Sequence, residues 1–155
     1  TFVTLGEGSS NQGDFHEGAN FAGVHKLPVI IMVENNQYAI SVPVERQLAC
    51  AKVSDRAIGY GMPGVTVDGK NPLEVYKVVK EAAERARKGE GPSLIETLTY
   101  RLTAHSSDDD HRQYRTTEDI EEGRAKDPVL LFKSYCHHRT KIDNSVIKQK
   151  KIFPF

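Results

Sequence analysis

The sequence has only two cysteines, no net charge and no long apolar run, and each lack excludes a class of protein. Cys50 and Cys136 lie far apart with no CxxC pair, which argues against a zinc ribbon or a disulfide scaffold. A reduced, cytoplasmic compartment is the default for such a chain. Lys+Arg 21 against Asp+Glu 21 leaves no general electrostatic case for nucleic acid. No stretch approaches the roughly 18 apolar residues of a helical membrane span, and no charged-then-apolar leader is visible. What is there is ordinary: 155 residues, 38% hydrophobic and 27% charged, with a mean hydropathy of -0.50. That suffices for one domain with a core.

The charge balance conceals an asymmetry. Residues 133–155 carry six basic groups against one acid, and the first 132 residues carry 15 basic groups against 20 acids. Thr1 is not a methionine and a strand-like segment begins at once, so the chain reads as a piece of a longer one, with a main domain over 1–132 and an atypical basic tail over 133–155.

Strands and helices alternate along the main domain. Thr1 to Leu5 (TFVTL) is β-branched and short, and reads as a buried strand. After a Gly, Ser and Asn loop, Phe15, Ala19 and Ala22 recur at helical spacing within Asp14 to His25. Pro28 opens VIIMV, a continuous apolar run suited to a parallel strand covered on both faces, and residues 34–37 end it as a turn. Gly64 to Asp68 predicts a strand. Asn71 then caps a helix with Pro72 at its first position, an apolar stripe of Leu73, Tyr76, Val79, Ala83 and Ala86, and Gly89 as its stop. Pro92 to Tyr100 predicts a further strand, 101–116 a polar irregular segment, Glu118 to Ala125 a short helix, and Asp127-Pro128 the start of another. From about Tyr135 the helical pattern lapses. The alternation argues an α/β fold, a parallel sheet flanked by helices.

Gly6-Glu7-Gly8 sits between a strand and a helix, where backbone N–H groups meet ligand phosphates. As a dinucleotide fingerprint it is partial, because Asn11 stands where the third glycine belongs, although Glu34 could pass for the ribose-binding acid. Glu7 separates the readings. A carboxylate between the glycines repels a diphosphate unless a cation joins them, and Mg²⁺ takes carboxylates together with phosphate oxygens. Asn35-Asn36 bring further hard oxygens at the end of the next strand, and both loops leave a parallel sheet at its carboxyl edge.

The stretch GEGSSNQGDFHEGANFAGVHKLPVIIMVENNQYAIS, residues 6–41, resembles the thiamine-diphosphate motif of the 2-oxo acid dehydrogenases, an acid between glycines followed by an Asn-Asn pair. More narrowly it is similar to the alpha subunit of their decarboxylating component, over roughly 1–132. The resemblance implies a thiamine-diphosphate-binding fold truncated on its N-terminal side, with thiamine diphosphate and Mg²⁺ as cofactors. It implies that Glu7 offers a carboxylate, Asn36 a side-chain oxygen and Tyr38 a backbone carbonyl to the metal, and that Gly6, Gly8, Ser9 and Asn36 line the cofactor. At position 34 relatives differ, some having Arg where this chain has Glu.

Tyr100 to Arg115 (YRLTAHSSDDDHRQYR) reads on composition as a solvated loop with an incidental histidine. Here the resemblance speaks for function. The decarboxylating subunits carry an HS pair beside the cofactor entrance, which His105-Ser106 match. This implies that His105 is a catalytic, cofactor-contacting residue and Ser106 a possible regulatory phosphorylation site. The S/D-D run before Tyr-Arg is like that of branched-chain members, whereas pyruvate-specific relatives tend to read HGHSMSDP. The remaining histidines are weaker: Asn20 breaks an HExxH reading at His16-Glu17, and Cys136-His137-His138 is a lone cluster in a basic tail.

Together these imply a subunit for oxidative decarboxylation of branched-chain 2-oxo acids with acyl transfer to lipoyl. Its partners would be a beta subunit, in an α2β2 heterotetramer, and a lipoyl acyltransferase core, with no nucleic acid and no membrane. The alternatives are a pyruvate or acetoin dehydrogenase alpha subunit, or a non-catalytic truncated fragment. This chain alone is expected to be inactive.

Overall fold

A computed structural model describes residues 1–140 of the chain. Its centre is a four-stranded sheet of β1 (Phe2–Gly6), β2 (Ile30–Asn35), β5 (Gly64–Asp68) and β6 (Ser93–Leu98), ordered β1-β2-β6-β5 with every pairing parallel. A two-stranded antiparallel hairpin, β3 (Tyr38–Ala39) with β4 (Val42–Pro43), follows β2 directly. The expected α/β fold with a parallel sheet flanked by helices is what forms.

Two apolar layers cover the sheet, because alternate residues of β2 and β6 face opposite ways. Ile31, Val33 and Leu94 meet helix α1 (Gly13–Val24) through Ala19, and a 3-10 helix over Val53–Tyr60 through Val53 and Ala57. Ile30, Met32 and Ile95 meet helix α2 (Pro72–Arg87) through Ala82, with Val75, Val78, Val79 and Ala83 packed around them. β2 is thus covered on both faces as its unbroken apolar run requires.

Three expectations need correction. β1 is an edge strand rather than a buried one: Phe2 is 50% exposed, since only β2 pairs with it. The stripe drawn on α2 is rotated. Tyr76 is 67% exposed and Leu73 is exposed with it, while the β-branched Val75, Val78 and Val79 turn toward the sheet with Ala82 and Ala83. Asn71 Oδ1 does cap this helix, accepting from Leu73 N–H at 3.1 Å, and Gly89 ends it with a φ of 74°. Helix α3 (Thr117–Ala125) is capped by Thr116, and helix α4 (Pro128–Thr140) continues through Tyr135, where the sequence reading expected helical pattern to lapse. The 132/133 boundary therefore falls inside α4, and 141–155 of the basic tail lie outside the described residues.

The Val53–Tyr60 helix is predicted by no local sequence pattern. It supplies much of one face of the core and ends at Gly61, in the left-handed region at φ 66°.

Candidate cation and diphosphate site

β1 and β2 run parallel in register, Gly6 opposite Glu34, so the chain leaves both at the same edge. The next residue of β1's exit is Glu7, and one residue beyond β2 is Asn36. Glu7 is 1% exposed. Its Oε2 accepts the Asn36 N–H at 3.3 Å, and its Oε1 is buried without a hydrogen-bond partner. Asn36 Oδ1 accepts the Tyr38 N–H at 3.2 Å. Across the hairpin from Tyr38 stands Pro43, which has no N–H to offer the Tyr38 carbonyl. Hydrogen bonds thus tie Asn36 to Glu7 and Tyr38 to Asn36.

The glycine loop is held close against this group. A Cβ at Gly8 would lie 2.6 Å from Ala39 Cβ, so only glycine lets the loop pass the hairpin at this distance. A Cβ at Gly6 would meet nothing within 4 Å, leaving open space beside the strand end. Ser9 is exposed at the start of a short 3-10 turn, Ser9–Asn11. Its neighbour Ser10 is fully buried and donates its hydroxyl to the Glu7 carbonyl at 2.6 Å. Arg56, on the Val53–Tyr60 helix, clamps the turn by donating to the Ser10 carbonyl at 2.7 Å and to Asn11 Oδ1 at 2.6 Å. Glu34 is exposed.

These residues fit a hard divalent cation. A buried carboxylate oxygen without a donor is costly unless a positive group meets it. Carboxylate, amide and main-chain carbonyl are the oxygen types Mg²⁺ takes alongside phosphates. Among the described residues no cluster of three or more His, Cys, Asp or Glu could hold a metal.

His105 is not drawn into this group. It is exposed, as is Ser106, and its backbone N–H donates to Asp109 Oδ2 at 2.8 Å. The same Asp109 oxygen accepts the Tyr114 hydroxyl at 2.5 Å. That hydroxyl, followed by the His105 N–H and the Arg101 charge, holds the Asp109 carboxyl below its ordinary range, while burial first and then Asp109 push the Tyr114 hydroxyl up. The loop is fastened to the hairpin at three places. Arg101 donates to the Ile40 carbonyl at 2.8 Å, the Tyr114 ring lies 5.5 Å from the Tyr38 ring, and the Arg115 guanidinium stands 4.6 Å over the Tyr38 ring. So the His105 loop and the Glu7 group share one support, the β3–β4 hairpin.

Sequence reasoning missed Arg56, Arg115, Asp109 and Glu96. Glu96 alone left a signal: an acid inside the apolar strand SLIETL is out of place unless partnered. The others are polar residues in polar surroundings, and only their contacts single them out. Cys50 and Cys136 form no disulfide, and no helix among the described residues is long and apolar enough to cross a membrane.

Comparison with known proteins gives the family. The family model described as dehydrogenase E1 component matches residues 1–151. The chain is 71% identical over 134 residues to the 2-oxoisovalerate dehydrogenase subunit alpha of Bacillus subtilis (strain 168), covering 86% of this chain and 41% of that protein. It is 47% identical over 135 residues to the 3-methyl-2-oxobutanoate dehydrogenase subunit alpha of Mycobacterium tuberculosis (strain ATCC 25618 / H37Rv), 87% of this chain and 37% of that one. Against the pyruvate dehydrogenase E1 component subunit alpha of Bacillus subtilis (strain 168) the identity is 49% over 135 residues, 86% of this chain and 36% of the relative. The chain thus spans about two fifths of the length of these relatives.

Proposed function

This chain belongs to the dehydrogenase E1 component family, and from that membership we propose that it forms the cation- and diphosphate-binding part of a branched-chain 2-oxo acid dehydrogenase alpha subunit. The observation that carries the site is the buried Glu7 carboxylate with one oxygen lacking a donor, beside Asn36 and Tyr38. In this reading Glu7, the Asn36 side chain and the Tyr38 carbonyl hold Mg²⁺, and the loop from Gly6 to Ser9 faces the diphosphate of thiamine diphosphate. The bound cofactor supplies an electron sink for loss of CO₂ from the 2-oxo acid. The chain's own residues bind and orient. Arg56 and Ser10 keep the loop's carbonyl side turned inward, and the closeness of Gly8 to Ala39 holds loop and hairpin at one spacing.

The branched-chain substrate is favoured by 71% identity to a 2-oxoisovalerate dehydrogenase subunit against 49% to a pyruvate dehydrogenase subunit. His105, exposed on a loop fastened to the same hairpin, takes part in acyl transfer to lipoyl, and phosphate on Ser106 would act there by like-charge repulsion. A beta subunit in an α2β2 assembly and a lipoyl acyltransferase core are the partners of this reading, and the bacterial relatives favour the cytoplasm.

The test uses the complete alpha subunit assembled with its beta partner. Thiamine diphosphate binding should require Mg²⁺ and be abolished by Glu7→Ala, and turnover should be faster with 3-methyl-2-oxobutanoate than with pyruvate or acetoin. Undiminished cofactor affinity in Glu7→Ala overturns the site, and faster turnover of pyruvate overturns the substrate class.

A further inference from the structure

Glu96 lies in the middle of β6 with no exposed surface, between Val33 of β2 and Thr66 of β5. Three donors meet its carboxylate. Oε1 accepts Asn35 Nδ2 at 2.8 Å, and Oε2 accepts the Ser54 N–H at 3.2 Å and the Thr66 hydroxyl at 2.9 Å. On its other side Asn35 Oδ1 accepts both the Gln37 N–H and Gln37 Nε2, each at 2.9 Å. Gln37 forms the bend of the turn: its φ is 74°, a left-handed conformation uncommon for a residue other than glycine, which these two hydrogen bonds support. That turn separates Asn36 from Tyr38.

We propose that Glu96 is a positioning residue for the cation site: it fixes the orientation of the Asn35 amide, and the Asn35 amide fixes the turn that aims Asn36 and Tyr38 at Glu7. An amide has one acceptor end and one donor end, so Asn35 can satisfy Gln37 only while its NH₂ points to an acceptor. Glu96 is that acceptor. If the Asn35 amide turned over, its NH₂ would face the Gln37 N–H, donor against donor, in a site that excludes water because Asn35 is 3% exposed. The inference rests on reading Glu7, Asn36 and Tyr38 as the cation site.

Glu96→Gln tests the chain of orientation. Its carbonyl oxygen must stay with the Ser54 N–H, a main-chain donor that cannot turn, so its NH₂ faces Asn35 and forces that amide over. Joining Asn35→Asp to Glu96→Gln reverses the polarity of the pair: the new amide donates to one Asp oxygen, and the other accepts from Gln37. Net charge is unchanged. Thr66→Val removes a donor on the far side of Glu96 and leaves Asn35 alone. In the complete subunit with its beta partner, Glu96→Gln should weaken Mg²⁺ binding measured by calorimetry with thiamine diphosphate by about tenfold or more. It should also speed hydrogen exchange at the Gln37 amide without any ligand. Thr66→Val should lower the melting temperature and leave Mg²⁺ affinity unchanged, and the Asn35→Asp/Glu96→Gln pair should restore both affinity and exchange protection. Wild-type affinity in Glu96→Gln, equal losses in Glu96→Gln and Thr66→Val, or a double variant that does not recover overturns the proposal. Where Glu96→Gln alone does not fold, the double variant decides in the same way. Lack of Mg²⁺ binding by the wild type, with Gln37 exchange still faster in Glu96→Gln, removes the cation-site reading and leaves the coupling of Glu96 to the turn standing.

Discussion

Gly8→Ala should damage the site by contact alone. Gly8 has φ -62° and ψ -39°, a conformation alanine adopts without strain, so the backbone makes no objection. The added methyl would lie 2.6 Å from Ala39 Cβ and 3.3 Å from Gln47 Oε1. The glutamine tip can swing aside; Ala39 Cβ is fixed to the hairpin. Ordinary carbon contacts need about 3.5–4.0 Å, so loop and hairpin must part by roughly 1 Å. Overpacking of this kind costs about 1–3 kcal/mol, and each kcal/mol lowers the melting temperature by about 2–4 °C in a domain of 150–250 residues. Ala39 follows Tyr38 directly, so in the proposed site the same movement displaces the Tyr38 carbonyl and should lower Mg²⁺ affinity by about tenfold. Calorimetry on the complete subunit, scanning for stability and titrating for Mg²⁺ in the presence of thiamine diphosphate, reads both effects. Ala39→Gly in the same chain should return much of each, because it removes the atom struck. Gly6→Ala is the contrast: its methyl meets no protein atom, so stability holds and only cofactor affinity should fall. Unaltered melting and Mg²⁺ affinity in Gly8→Ala would refute the close packing of loop on hairpin, and loss in Gly8→Ala without recovery by Ala39→Gly would refute its cause.

Two further outcomes concern the His105 loop. Asp109 is held below its ordinary pKa, chiefly by the Tyr114 hydroxyl, so the docked loop binds fewer protons than a free one near the usual carboxyl pKa of about 3.9. Docking should therefore be constant above about pH 5 and be lost as pH falls through the lower folded value, read as protease cleavage within 101–115; release between about pH 6 and 8 would assign control to a histidine instead. Arg115 is 5% exposed, donates to the Arg101 carbonyl at 2.6 Å and stands over both Tyr38 and Tyr100. Arg115→Met should cost about 2 kcal/mol or more in urea unfolding, and Arg115→Lys should not recover it, since a lysine lacks the planar group that stacks between two rings.

How much of this was legible beforehand follows from how far each signal reaches along the chain. The VIIMV strand, the Asn71-Pro72 helix start and the Gly89 stop are local, and the structure has all three. The face that α2 turns to the sheet is not local. Leu73 and the ring of Tyr76 offer apolar surface as Val75 and Val78 do, and the choice between two overlapping stripes belongs to Ile30, Met32 and Ile95, which the helix meets from far along the chain. The exposure of β1 likewise depends on strand order rather than on its composition. At the proposed site, Glu7 and Asn36 could be singled out in the sequence because an acid between glycines beside a diphosphate calls for a cation and hard oxygens. Glu96 was hidden because its donors come from residues 35, 54 and 66, and no spacing within one segment joins them.

The unpartnered oxygen of Glu7 links stability to binding. A buried carboxylate oxygen with no donor adds nothing to the stability of the fold itself. Glu7→Gln keeps an acceptor for the Asn36 N–H and puts a neutral amide where the orphan oxygen stood, at a smaller desolvation cost. Without ligand the variant should melt at or above the wild type. With Mg²⁺ and thiamine diphosphate at about 100 times the dissociation constant, the wild type should gain about 2.7 kcal/mol, because the ligand binds only the folded state. The variant, having lost the charge that holds the cation, should gain almost nothing. The two melting curves therefore cross on adding ligand. A variant that melts well below the wild type without ligand would make Glu7 a structural acid, and equal gains in both would place the cation elsewhere.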